Sequence, residues 1–158
     1  PIQLADMAKR KQPDSLDDGW SSVQGGSWCD FGTSPSRQFA VFGLEGTLIT
    51  TKSGKWKLWH DSVAAKLQAL HSEGYKIVVL PEAVKGAPDG TGLRARLDLQ
   101  MKVDSVQQAL GVPLVSVIAT AGPTLLRKPR VGAWDLVERQ CNGAVIVDRT
   151  ASFVVGSG

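Results

Sequence analysis

The residues in this chain that could do chemistry are mainly basic and aromatic. Arg127, Lys128 and Arg130 form a basic turn around Pro129, and Arg94, Arg96 and Lys102 stand upstream. Such a set could track a phosphate backbone. Asp89, Asp98 and Asp104 interrupt the positive field, so a solvated charged face is the plainer reading. Trp56 and Trp59 could stack a nucleic-acid base; packing or contact with a partner explains them at least as well. His60 and His71 have no companion ligand set, and His71 falls in a helical tail, where it reads as a surface residue. Cys29 and Cys141 lack CxxC spacing and read as free thiols of a reducing compartment.

Composition sets broad bounds. A chain of 158 residues, 42% hydrophobic and 21% charged, has ordinary globular proportions and is one domain at most. Its net charge of +3 permits contact with nucleic acid, an anionic membrane or acidic proteins and requires none of them. No apolar run is long enough to span a bilayer, and no secretory signal is visible. The sequence opens at Pro1, which a removed leader or an incomplete sequence would each explain.

The elements that must position these residues follow from hydrophobic patterning. Residues 1–37 are polar and broken by Gly25, Gly26, Gly32 and Pro35, with a basic cluster at Met7–Lys11. They predict an extended arm with little regular structure. Trp20, Trp28 and Phe31 sit inside it. Aromatics do not belong in a free linker, so they are expected to dock, on this domain's own surface or on a partner. From residue 38 onward the pattern alternates. Phe39–Phe42 reads as a buried strand and 44–53 as a turn-rich loop. Asp61 can cap a helix carrying Val63, Leu67 and Leu70, which Gly74 ends. Residues 75–80 read as a second strand, broken by Pro81. A helix over 93–110 has a stripe of Leu97, Met101, Val103, Val106 and Leu110, and 115–119 is a third strand. A helix over 133–140 and a fourth strand over 153–155 complete the series. Strands alternating with helices predict a three-layer α/β/α domain with a mainly parallel sheet over 38–158. Ligands of such sheets bind at the carboxyl ends of the strands, here Gly43, Pro81, Ala119–Thr120 and Gly156–Ser157.

Residues 39–49, Phe-Ala-Val-Phe-Gly-Leu-Glu-Gly-Thr-Leu-Ile, resemble the first motif of the haloacid-dehalogenase-like enzymes, an apolar strand followed by Asp-x-Asp-Gly-Thr. Thr50–Lys55, Glu73–Lys76, Leu110–Pro113, Arg127–Pro129 and Gly132–Trp134 are similar to the DNA 3'-phosphatase domain of polynucleotide kinase-phosphatase, in the same order. The resemblance runs from about Phe39 to Gly158. It implies an aspartate nucleophile that forms an acyl-phosphate, a second aspartate as acid and base, a hydroxyl and a lysine on the phosphate, and an aspartate after the fourth strand that helps hold Mg²⁺. This chain departs from that pattern. The nucleophile position is Gly43, the acid/base position Glu45, the phosphate-hydroxyl position Pro81 and the metal aspartate Ser157, and only Lys128 survives.

These departures imply a pseudophosphatase with no covalent intermediate, no Mg²⁺ site and no cofactor. Lys128 could still touch an anion, although pairing with a carboxylate or facing solvent explains it too. The chain also stops at the fourth motif, which predicts a fold shortened at its C-terminus with a sheet edge open or covered by a partner. The expected function is therefore a structural or docking subunit of a larger protein assembly, tied to its neighbours by Trp20, Trp28 and Phe31. A strand-end nucleic-acid binding module is the alternative, and a residual hydrolase using Glu45 as general base comes third. A mitochondrial location is expected, with a nuclear one as the alternative.

Overall fold

A computed structural model describes residues 19–23, 25–84, 91–119 and 132–156. Six strands form one sheet in the order β1-β2-β7-β6-β3-β8. They are β1 (Ser21–Val23), β2 (Gly26–Asp30), β3 (Phe39–Phe42), β6 (Lys76–Val79), β7 (Val115–Ala119) and β8 (Phe153–Val155). β3 pairs in parallel with β6 and β8, and β6 with β7. β1 and β2 add antiparallel strands at the β7 side. A separate hairpin, β4 (Ile49–Lys52) and β5 (Lys55–Leu58), follows β3. The helices are α1 (Val63–Ser72), α2 (Thr91–Leu110) and α3 (Gly132–Cys141).

The apolar strands need cover on both faces, and alternation along each strand sorts their side chains into two cores. Ala40, Phe42, Ile77, Val79 and Ile118 point to one face, where Leu67 of α1 and Val103, Val106 and Leu110 of α2 close over them. Phe39, Val41, Val78, Val115 and Val117 point to the other, against Ala133, Leu136 and Val137 of α3. This is the expected three-layer α/β/α arrangement. Asp148 accepts hydrogen bonds from Thr150 N and Oγ1, forming the turn that feeds the chain into β8.

The N-terminal segment departs from the expected arm. Residues 21–30 form β1 and β2, and β2 lies along the whole of β7, with Gly26 opposite Ala119 and Asp30 opposite Val115. The break at 37/38 therefore does not divide the fold. Gly-Ser-Trp-Cys-Asp has weak strand propensity by itself; pairing with a long central strand overrides it. Trp20, Trp28 and Phe31 are corrected in the same way, because they pack within this chain's own cores. Trp20 is 7% exposed, meets Phe31 edge-to-face at 6.1 Å, and donates from Nε1 to Asp104 Oδ1 at 3.0 Å. Trp28, on the opposite face of β2, packs against the α3-side core.

Smaller differences have local causes. The predicted loop over 44–53 contains β4, because Ser53 and Gly54 both take positive φ and turn the chain into a two-residue hairpin. Ser62, not Asp61, is the residue at the N-terminus of α1. Met101 is 47% exposed and lies off the buried stripe of α2. Gln100 is fully buried and accepts from Ser27 Oγ at 2.8 Å, which fastens α2 to β2. The basic cluster at 7–11, Thr120, Arg127, Lys128, Arg130 and Ser157 lie outside the described residues.

Candidate functional site

The carboxyl ends of the central strands converge as the sequence predicts. Gly43 N donates to Val155 O at 2.9 Å and Leu80 N donates to Phe42 O at 2.8 Å, so the ladder continues one residue past β3 on each side. Both Gly43 and Pro81 are buried at this edge. Val84 N donates to Ala119 O at 2.8 Å and ties the loop after β6 to the end of β7. The chain after Gly43 turns tightly. Leu44 O accepts from Leu48 N at 2.9 Å and Ile49 N at 3.0 Å, and Gly46 supplies the positive φ that the turn needs.

Glu45 projects from that turn with its side chain 43% exposed. Thr51 Oγ1 donates to Glu45 Oε1, and the Lys102 ammonium on α2 lies 3.6 Å from the same oxygen. The structure thus brings together Gly43, Glu45 and Pro81 and adds Lys102, which sequence reasoning grouped with a phosphate-tracking surface. No sequence spacing links Glu45 to Lys102; only the packing of α2 over the sheet does.

The resemblance implies Mg²⁺ at this end of the sheet, and the described residues do not fit it. Gly43 and Pro81 offer no side-chain oxygen, and the carboxylate of Glu45 already carries an ammonium and a hydroxyl. A hard cation needs several oxygen ligands, with carboxylates offsetting its charge. Among the described residues, no three His, Cys, Asp or Glu groups come together.

Beside this edge lies an open cleft of about 390 Å³. Phe42, Leu48, Leu67 and Val155 line it, and Trp59, His60 and Lys66 also border it. Trp59 is 56% exposed, with its backbone N–H fixed to Leu48 O at 2.8 Å. Trp56 instead packs against the core. His60 Nδ1 lies 2.9 Å from Ser62 Oγ, and among the described residues it joins no metal-ligating group.

The opposite end of the sheet carries a buried charge. Lys76, 2% exposed, donates to Thr33 Oγ1 at 2.7 Å and to Cys141 O at 2.8 Å. Thr33 in turn donates from N and Oγ1 to Asp30 Oδ1, each at 2.8 Å. Burial pushes the Lys76 pKa down, while Asp30 and Cys141 pull it up. Burial, with help from Asp30, pushes the Cys141 thiol up to about 12. This cluster ties β6, α3 and the 30–33 turn together, and it is remote from the strand ends where the motif residues lie.

The parallel sheet with helices on both faces, and a motif turn at the end of β3, define a haloacid-dehalogenase-like domain. A HAD-like phosphatase of Mesorhizobium loti has the same fold, with a TM-score of 0.62 at 16% identity over 87% of this chain and 73% of that one. A profile of the polynucleotide kinase 3 phosphatase family matches residues 38–158, and the chain belongs to that family. It is 32% identical to the bifunctional polynucleotide phosphatase/kinase of Schizosaccharomyces pombe over 118 residues, 70% of this chain and 28% of that protein. It is 28% identical to the polynucleotide 3'-phosphatase ZDP of Arabidopsis thaliana over 142 residues, 80% of this chain and 20% of that protein. The chain therefore spans less than a third of either relative. A 20.8 kDa protein of Autographa californica nuclear polyhedrosis virus is 32% identical over 75% of this chain and 65% of its own length.

Proposed function

We propose that this chain is a catalytically silent member of the family, serving as a structural or docking subunit of a larger protein assembly, with a mitochondrial location. The observation that carries the reading is the motif edge itself. Gly43 occupies the position of the attacking carboxylate, Pro81 that of the phosphate-binding hydroxyl, and Glu45 is bound by Thr51 and Lys102. Without a nucleophile no acyl-phosphate forms, and loss of a nucleophile alone lowers turnover by several powers of ten. Direct water attack assisted by Glu45 is disfavoured, because its carboxylate is already engaged.

A second reading, a non-catalytic module that holds nucleic-acid strand ends, draws on the exposure of Trp59 and of the hairpin lysines Lys52, Lys55 and Lys57. The deciding assay follows inorganic phosphate release from a 3'-phosphorylated oligonucleotide with Mg²⁺, using protein purified from its native source. Release at the blank rate, with the protein recovered stoichiometrically in one large complex, is expected. Turnover abolished by Glu45→Gln would overturn the silent-fold reading. Recovery with nucleic acid that nuclease strips away would favour the second.

A further inference from the structure

The chain contains a single asparagine, Asn142, and a glycine follows it. That pair is a reactive setting for a carboxamide, because glycine has no Cβ to shield its backbone nitrogen. In a free chain the nitrogen of Gly143 attacks Cγ of Asn142 and closes a five-membered succinimide. Here the pair directly follows the last turn of α3, and Gly143 takes a φ of 57°, the left-handed conformation common where helices end. Gly143 is exposed, but Asn142 is fully buried.

The buried carboxamide is held through both of its polar atoms. Oδ1 accepts from Ser36 N at 2.8 Å, and Nδ2 donates to Ser36 O at 2.8 Å and to Val145 O at 2.9 Å. Ser36 is fastened in turn, because its hydroxyl donates to Gly74 O and accepts from Gln38 N at 3.0 Å. Arg37 O accepts from Asp148 N at 2.6 Å. Pro35 lies over Gly143, where an added Cβ would meet Pro35 Cγ at 3.4 Å. Asn142 is therefore the pin between the strap 35–38 and the turn that follows α3.

We propose that Asn142 is a deamidation site gated by this strap, converting only in chains whose strap has opened. The bond from Gly143 N to Asn142 Cγ forms, the Cγ–Nδ2 bond breaks, and the Gly143 amide proton goes to the leaving nitrogen, which departs as ammonia. Water then opens the ring. Cutting the bond at Cγ gives aspartate, and cutting the bond at the backbone carbonyl carbon gives isoaspartate. Attack expels the very nitrogen that bonds Ser36 O and Val145 O, so the closed strap opposes it, and burial withholds the water. The carboxylate that results has no hydrogen to give those two carbonyls, and a buried charge facing carbonyl oxygens is unstable. The strap cannot close on it as before, and the ammonia is lost for good. Asn142 thus marks permanently a chain that has opened locally at this point.

Incubating the full chain in mildly alkaline buffer, folded and in guanidinium chloride, tests this. Mass spectrometry of the tryptic peptide spanning 140–149 reads the exchange of amide for acid at Asn142. Each hydrogen bond of the pin lowers the open population by a factor of about 5, so three make conversion about a hundredfold slower in the folded chain than in the denatured one. Ser36→Ala removes the hydroxyl that fastens the strap and keeps the backbone groups that meet Asn142. It is expected to speed conversion in the folded chain about fivefold and to leave the denatured rate unchanged. Converted chains are expected to be cut by trypsin after Arg37 sooner than unconverted chains of the same sample. Equal rates in the folded and denatured chain, no acceleration by Ser36→Ala, or equal resistance of converted and unconverted chains to trypsin would each overturn the proposal. The first and third comparisons use the parent chain alone, so they decide the matter even where Ser36→Ala does not fold.

Discussion

Gly26 is the position at which the placement of the N-terminal segment is most sharply testable. It starts β2 opposite Ala119, and a Cβ built on it would lie 2.0 Å from Ile118 O, 3.0 Å from Ile118 C and 3.2 Å from Ala119 Cα. All three are backbone atoms of β7, a strand locked between β2 and β6, so no side chain can rotate away. To accept Ala, β2 must retreat by more than an ångström, which lengthens its ladder to β7 beyond hydrogen-bonding range. The same shift pulls Ser27 from Gln100 and displaces the buried Cys29. Overpacking in a rigid site costs about 1–3 kcal/mol, and a backbone collision with loss of ladder bonds belongs at the upper end. We expect Gly26→Ala to lose about 3 kcal/mol. In urea this moves the midpoint down by roughly 1–3 M at the slopes usual for small proteins. On heating it lowers Tm by about 6–12 °C. Limited proteolysis should cut the variant after Trp20 well before the parent. A midpoint within about 0.3 M of the parent, with equal protease resistance, would refute the close β2–β7 approach and restore the free-arm reading.

Three further outcomes follow from the buried groups. With its thiol pushed up to about 12 and its side chain buried, Cys141 should resist iodoacetamide at pH 8 in the native protein and react within minutes in denaturant; mass spectrometry of the alkylated peptides reads this. Lys76 should shape the pH dependence of stability. Its pKa is lower in the folded than in the unfolded chain, so the unfolded state binds more protons between that lowered value and about 10.4, and stability rises with pH across that window. Cys141 acts in the opposite sense from about pH 9 to about 12, because the unfolded thiol ionises first. Urea titrations of Lys76→Met should show a loss of about 2–4 kcal/mol near neutral pH and a steeper fall than the parent above pH 9. Trp20→Phe removes the bond to Asp104 in a partly buried setting and should cost about 1–2 kcal/mol by chemical denaturation.

The central sheet was legible in the sequence. Runs such as Phe39–Phe42 and Ile77–Leu80 are apolar without alternation, which only a strand covered on both faces tolerates, and Gly74 and Gly111 mark where α1 and α2 end. The identity of the residues at the strand ends, Gly43 and Pro81 among them, was fixed by sequence as well, because each follows directly from the strand that presents it. Three things were decided by tertiary structure. Gly-Ser-Trp-Cys-Asp became a strand because β7 offered an unpaired edge, and the aromatics beside it found their partners across the chain, Trp20 against Phe31 and Asp104. The β4–β5 hairpin sent Trp56 inward and left Trp59 at the mouth of a cleft, a division that two tryptophans three residues apart do not announce. Lys102 met Glu45 because the register of α2 over the sheet carried it there. Local periodicity specifies which elements form, whereas contacts between residues distant in the chain depend on how those elements pack, and a single sequence carries no local signal of that.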